Sequence, residues 1–102
     1  MIVKIESDEQ AEKLLAENKD KKTVVCFSAS WCAPCRVYAP ILEKVSNEQE
    51  VTIYKIDIDE CTEFSLKHKI RSVPTLSIFS NEKNTNSCSG VLKPDEVVAY
   101  LK

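Results

Sequence analysis

Thr23-Val24-Val25-Cys26-Phe27-Ser28, then Ala29-Ser30, then Trp31-Cys32-Ala33-Pro34-Cys35, is the stretch that decides the fold. The near-continuous apolar run from Thr23 to Ser28 is the pattern of a central strand covered on both faces. Beyond the cysteines, Val37, Tyr38, Ile41, Leu42 and Val45 recur at helical spacing. Pro34 suits the first turn of that helix, where its missing N–H costs nothing. Pro40 falls inside the helix and should kink it. The two thiols therefore lie where a strand ends and a helix begins. A helix N-terminus carries partial positive charge and unpaired N–H groups, which favour a thiolate over a thiol. The thiolate is the nucleophile of disulfide exchange. Cys32 and Cys35 thus read as a reversible dithiol/disulfide device. Against that reading stand a structural disulfide and half a zinc site. Zinc would need two more well-spaced ligands, and Cys61 and His68, seven apart, fit no common spacing.

The remaining elements follow from periodicity and caps. Ile2-Val3-Lys4-Ile5 is short and alternating, as a strand is. Ser7 with Gln10 three residues later is a capping box, opening a helix that carries Ala11, Leu14 and Leu15 and ends near Asn18. Val51 to Ile58 alternates as a strand. Cys61 to Lys69 reads as a short helix with Asp59 and Glu60 at its positive end. Thr75 to Phe79 is a strand, Ser80 to Asn84 a turn, and Thr85 to Ser89 a weak strand. Pro94, Asp95 and Glu96 open a last helix bearing Val97, Val98 and Leu101. The order βαβαβαββα implies parallel pairing early and an antiparallel hairpin at one edge. Gly90 is the single glycine, so turns that need positive φ must use another residue. Asn81, Asn84 and Asn86 are the expected substitutes.

A chain of 102 residues has room for one domain, 1–102. Its 43% hydrophobic content suffices for one core. A net charge of −2 with no basic block argues against a nucleic-acid binder. No apolar run approaches the roughly 18 residues of a membrane span. The first twenty residues carry nine charges and leave no signal-peptide core. Three of the five cysteines, Cys26, Cys61 and Cys88, have no partner at a suggestive spacing. A reducing compartment, the cytoplasm, is therefore expected rather than secretion after trimming of a signal.

These motifs resemble the thioredoxin family over nearly the whole chain. Its W-C-G-P-C motif stands here as Trp31-Cys32-Ala33-Pro34-Cys35. Pro40 matches the family's helix kink, and Lys55-Ile56-Asp57-Ile58-Asp59 its third strand. Arg71-Ser72-Val73-Pro74-Thr75-Leu76 resembles the segment that carries its cis-proline, and Ser89-Gly90-Val91 its second substrate-contacting loop. The resemblance implies the thioredoxin fold: an α/β architecture with a central mixed five-stranded sheet flanked by four helices. It implies a monomeric thiol–disulfide oxidoreductase with no bound cofactor and no metal. Protein disulfides would be its substrates and a flavin- and NADPH-dependent reductase its electron donor.

The family pattern also assigns roles. Cys32 becomes the attacking thiolate and the more exposed of the pair, Cys35 the resolving thiol. Trp31, Ala33, Pro34, Val73, Gly90 and Val91 become an apolar docking surface. A cis Val73–Pro74 bond would leave the backbone of Val73 free to pair with an extended substrate. An ordinary trans proline at the start of an edge strand is the alternative. Ala33 replaces the usual glycine of the motif, and Ser72 suggests tighter turns. Cys26 stands where the family has a buried aspartate, so Lys55 loses a carboxylate partner and is read as structural. Cys61 resembles an extra cysteine of some animal-type members, either regulatory or a buried inert thiol, and Cys88 falls on an edge strand. His68 is expected on a helix surface. A binding module built on the apolar surface, and an oxidase or isomerase, are the rival functions.

Overall fold

The computed structural model describes residues Met1–Lys102. Its elements are β1 (Ile2–Ile5), α1 (Asp8–Glu17), β2 (Thr23–Ser28), α2 (Ala33–Gln49), β3 (Ile53–Asp57), α3 (Thr62–Lys67), β4 (Thr75–Ser80), β5 (Lys83–Ser89) and α4 (Pro94–Leu101). The strands form one mixed sheet in the order β1-β3-β2-β4-β5. β3 is parallel to both β1 and β2, while β4 runs antiparallel to β2 and to β5. β2 is thus paired on both edges. Its alternate side chains feed two cores, which is why its sequence is apolar without a break. Val25 and Phe27 face α1 and α3 in a cluster with Ala11, Leu14, Leu15, Phe64 and Phe79. Cys26 faces α2 and α4 in a second cluster with Tyr38, Leu42, Val45, Leu76 and Val97.

Helix ends explain where the elements stop. Ser7 caps α1 by accepting the Gln10 N–H at 3.1 Å, and the Gln10 side chain takes the Glu6 N–H at 2.7 Å. The strand expected from Val51 begins at Ile53, because the Val51 amide closes α2 by donating to Ser46 O. The helix expected over 61–69 spans Thr62–Lys67. Cys61 is its N-cap and His68 its C-cap. α2 runs continuously through Pro40, which lies on its exposed face. The Arg36 carbonyl left without its i+4 donor is on that same wet face, which makes the proline tolerable.

Three expectations are corrected. Val37 is 61% exposed. The buried stripe of α2 is Cys35, Tyr38, Leu42 and Val45, and Val37 points about 200° around the helix from Cys35. His68 is half-buried rather than on the surface, its ring 4.6 Å from Phe64 and 4.8 Å from Phe79. The C-cap turn of α3 folds it back over the core. Of the three asparagines, only Asn81 has positive φ. It joins Glu82 in a two-residue hairpin loop with φ of 52° and 63°, the pairing that a type I′ turn requires. Asn84 and Asn86 lie within β5.

Lys69 and Glu50 supply the other left-handed positions. At Lys69, the N–H of Ile70 bonds Ser65 O and that of Lys69 bonds Leu66 O, the double closure of a Schellman end that favours glycine at this position. Lys69 is exposed and forms no ion pair. Lys69→Gly is therefore expected to raise unfolding stability by about 0.5–1 kcal/mol, relief of the Cβ clash outweighing the added chain entropy. Denaturant melting checks this; a variant less stable than the parent would contradict it.

Candidate active site

The strand–helix junction delivers the two cysteines. After β2 the chain turns through Ala29, whose carbonyl accepts the Cys32 N–H at 3.2 Å. Cys32 keeps extended backbone (φ −91°, ψ 108°) and serves as N-cap of α2. Its Sγ accepts the Cys35 N–H at 3.2 Å, so sulfur occupies the place of a capping oxygen. Cys32 and Cys35 are joined in a disulfide with Cα atoms 5.3 Å apart. The sulfur of Cys32 therefore lies against the Cys35 N–H at the positive end of a 17-residue helix. That position stabilises the thiolate formed when the ring opens.

A second segment roofs the ring. The Val73–Pro74 bond is cis, and Val73 O lies 3.8 Å from Cys32 Sγ. The Gly90 N–H donates to Pro74 O at 2.9 Å, holding the loop after β5 beside that before β4. Trp31 is 64% and Val91 40% exposed. Ala33, Pro34 and Gly90 are also exposed, and half-buried Val73 packs against the two cysteines. Trp31 does not swing freely: its Nε1–H donates to Asp59 Oδ2 at 2.8 Å. Asp59 is itself fixed by its N–H to Asp57 Oδ1 at 2.7 Å. Sequence spacing held no sign of this contact, since 28 residues separate the partners.

One expectation about the pair is corrected. In the closed ring Cys32 is 4% and Cys35 7% exposed, so Cys32 is not the more exposed. Capping turns its sulfur inward toward the Cys35 amide, and Ala29 and Val73 pack over the ring.

Cys26 lies beneath, 4% exposed, opposite Leu76 on β4 and Lys55 on β3. It and Cys35 line one cavity of about 210 Å³, with Leu42 and Ile53 as apolar wall and Lys55 at its edge. Burial pushes the Cys26 thiol up to about 12, against a smaller downward pull from Lys55. Lys55 is exposed and forms no ion pair. Cys61 has no exposed surface. Burial, then the carboxylates of Asp8, Glu60 and Asp57, push its thiol up to about 11. Cys88 is free and half-buried on β5. No group of three or more His, Cys, Asp or Glu side chains is placed to hold a metal ion.

A closed two-cysteine ring that opens onto a helix N-terminus, on a sheet of this order, does the chemistry of a thiol–disulfide oxidoreductase. Comparison with known proteins agrees. The thioredoxin family model matches residues 2–102. A thioredoxin of Mycoplasmoides gallisepticum is 36% identical over 94 residues, covering 91% of this chain and 92% of its own. Thioredoxin-1 of Saccharomyces cerevisiae is 33% identical over 91 residues, covering 88% and 86%. Among solved structures, a Fasciola hepatica thioredoxin superposes with a TM-score of 0.83 at 32% identity, covering 98% of this chain and 99% of its own. A Schistosoma mansoni thioredoxin reaches 0.87 at 28%, covering 98% and 94%. The chain belongs to the thioredoxin family, and its redox-active pair is Cys32–Cys35.

The buried thiols set an alkaline limit. The folded pKa of Cys26 is raised from an ordinary 9 to about 12. The unfolded chain therefore loses this proton first as pH rises, and stability present below pH 9 is lost progressively between about 9 and 12. The denaturant midpoint is expected to stay level from pH 7 to 8.5 and then fall. Cys26→Ala should flatten part of that fall, leaving the share of Cys61. Identical slopes in the two proteins would contradict the assignment.

Proposed function

We propose that this protein reduces protein disulfides, with Cys32 as nucleophile and Cys35 as resolving thiol. The observation that carries the reading is the Cys32 sulfur capping α2, 3.2 Å from the Cys35 amide and 3.8 Å from Val73 O. Opening the ring puts a thiolate at a helix N-terminus beside a rim of exposed apolar side chains. The thiolate attacks one sulfur of a substrate disulfide, forming a mixed disulfide and expelling the first substrate thiolate. Cys35 then gives up its proton and attacks Cys32 Sγ. The mixed disulfide breaks, the second substrate thiolate leaves, and the ring closes. Two electrons have passed to the substrate.

Trp31, Ala33, Pro34, Val91 and Gly90 form the docking rim in this proposal, and the Val73 backbone before Pro74 pairs with an extended substrate segment. A flavin- and NADPH-dependent reductase reopens the ring. Pro40 and Lys55 act on the shape of α2 and its cavity, not on the reacting sulfurs. The protein works as a monomer in the cytoplasm; no helix is long and apolar enough to cross a membrane.

Cys26 gives this active site its own character. A carboxylate at that position, raised towards neutrality by burial, would suit general-base work on Cys35. A thiol raised to about 12 keeps its proton and is a poor base. Water or the leaving thiolate takes the Cys35 proton instead. The chain trades a slower second step near pH 7 for a core without a buried charge.

Cys32→Ser is expected to reduce turnover of an exposed protein disulfide by dithiothreitol to the uncatalysed rate, and Cys35→Ser to accumulate mixed disulfides. Native turnover by Cys32→Ser would overturn the reading. Cys26→Asp is expected to speed mixed-disulfide decay severalfold at pH 7 and to lower stability by about 1–3 kcal/mol. Burial raises the folded pKa of the new carboxyl, so this loss grows as pH climbs above 4. Unchanged decay between pH 6 and 9 would remove position 26 from proton transfer.

A further inference from the structure

The segment roofing the disulfide is held by side-chain hydroxyls. None of the amides of Arg71, Ser72 and Val73 donates a hydrogen bond within the protein. On one side the chain is pinned by Ile70 N–H to Ser65 O, and on the other by Gly90 N–H to Pro74 O. Around Val73 and Pro74, three hydroxyl-bearing residues close a ring. Ser72 Oγ–H donates to Ser89 Oγ at 3.3 Å. Thr75 Oγ1–H donates to the Ser72 carbonyl at 2.7 Å. Thr75 Oγ1 and Ser89 Oγ are 3.4 Å apart. Each hydroxyl has one proton. Those of Ser72 and Thr75 are already committed, so the long Thr75–Ser89 contact is closed only by the Ser89 proton, and in that arrangement the three bonds run the same way round.

Placement gives the ring its consequence. Ser72 and Ser89 are exposed, and Thr75 is 4% exposed at the start of β4. Thr75 and Ser89 are register partners in the β4–β5 ladder, so the sheet itself sets the distance between two of the three members. Ser72 precedes Val73, and Ser89 precedes Gly90. The ring therefore ties one loop beside the disulfide to the other, and it does so without using the Val73 N–H, which stays unpaired.

We propose that the Ser72–Thr75–Ser89 hydroxyl ring is a positioning device for protein substrates, fixing the Val73 backbone as a ready edge onto which an extended segment docks while its disulfide meets Cys32. The proposal rests on the reductase reading above and adds the residues that set its preference for a polypeptide over a small disulfide. An edge already ordered loses less freedom on binding. Remove a ring member and the loop must be ordered by the substrate. A small disulfide makes no use of the edge and needs only the sulfur of Cys32. The cost therefore falls on the Michaelis constant for protein substrates.

The test measures kcat and KM for Ser72→Ala, Ser89→Ala and Thr75→Val with two probes. One is insulin, whose disulfides lie in polypeptide; the other is 5,5′-dithiobis(2-nitrobenzoic acid), a small aromatic disulfide. Each variant is expected to raise KM for insulin by about three- to tenfold, the worth of one or two modest hydrogen bonds. The effect should be carried by KM rather than kcat and should exceed that on the small disulfide at least threefold. Thr75→Ser, which keeps the hydroxyl, should restore the parent value. Equal loss on both probes, or loss in kcat alone, would overturn the proposal, since general loosening of the site produces that pattern. So would parent-like KM in Ser72→Ala and Ser89→Ala, which are exposed changes that leave the core intact. A parent protein that fails to reduce insulin would overturn the reductase reading itself, an outcome visible before any variant is made.

Discussion

A sulfur atom capping a helix is the constraint on which the rest of this structure depends. Cys32 Sγ must reach the Cys35 amide at 3.2 Å while its own N–H is held by Ala29 O. That fixes where α2 begins relative to the end of β2. The same contact keeps Cys35 one turn away, with Cα atoms 5.3 Å apart, within the span a disulfide bridges. A conventional cap satisfies an orphan amide and stops there. Here the capping atom is also the redox-active one, so the N–H groups that need an acceptor in the oxidised ring become the groups that steady a thiolate in the reduced form.

The sheet serves that cap. β2 is paired by β3 and β4, and its side chains enter two cores, which leaves its C-terminal end little freedom to shift. Cys26 fills the space below with a small side chain that burial keeps neutral. Cys26 and Cys35 line one cavity between β2 and α2. A neutral thiol there places no charge in the core. Above the ring, Trp31 is tethered to Asp59 at 2.8 Å, and Val73 is presented by a loop whose own amides are left unpaired.

Elements with local causes could be read directly from the sequence. The Ser7 cap, Pro34 in the first turn of α2 and the C-x-x-C spacing act through neighbours within four residues, and the Thr23–Ser28 run carries its two-sided burial in its own composition. Five strands and four helices follow from them in the expected order. What escaped depends on contacts set by the tertiary fold. The inward turn of the Cys32 sulfur needs the packing of Val73 and Ala29. The ring of His68 settles on Phe79 of β4, and Trp31 finds Asp59 from a different element. Left-handed backbone at Glu50, Lys69 and Glu82 is imposed by helix ends and a hairpin on residues with no preference for it. The hydroxyl ring exists because the β4–β5 register sets Thr75 against Ser89, which no spacing along the chain displays.

The central claim is that the helix N-cap makes Cys32 the reactive thiol among five. The direct measurement is site-resolved alkylation of the fully reduced, folded protein by iodoacetamide at pH 7, followed by mass spectrometry over time. Thiolate character and access govern the rate. Cys32 is expected to be modified first, at least about tenfold faster than the half-buried Cys88, with Cys26 and Cys61 unmodified while the fold holds. Modification of Cys88 as fast as Cys32, or of Cys35 ahead of Cys32, would contradict the account.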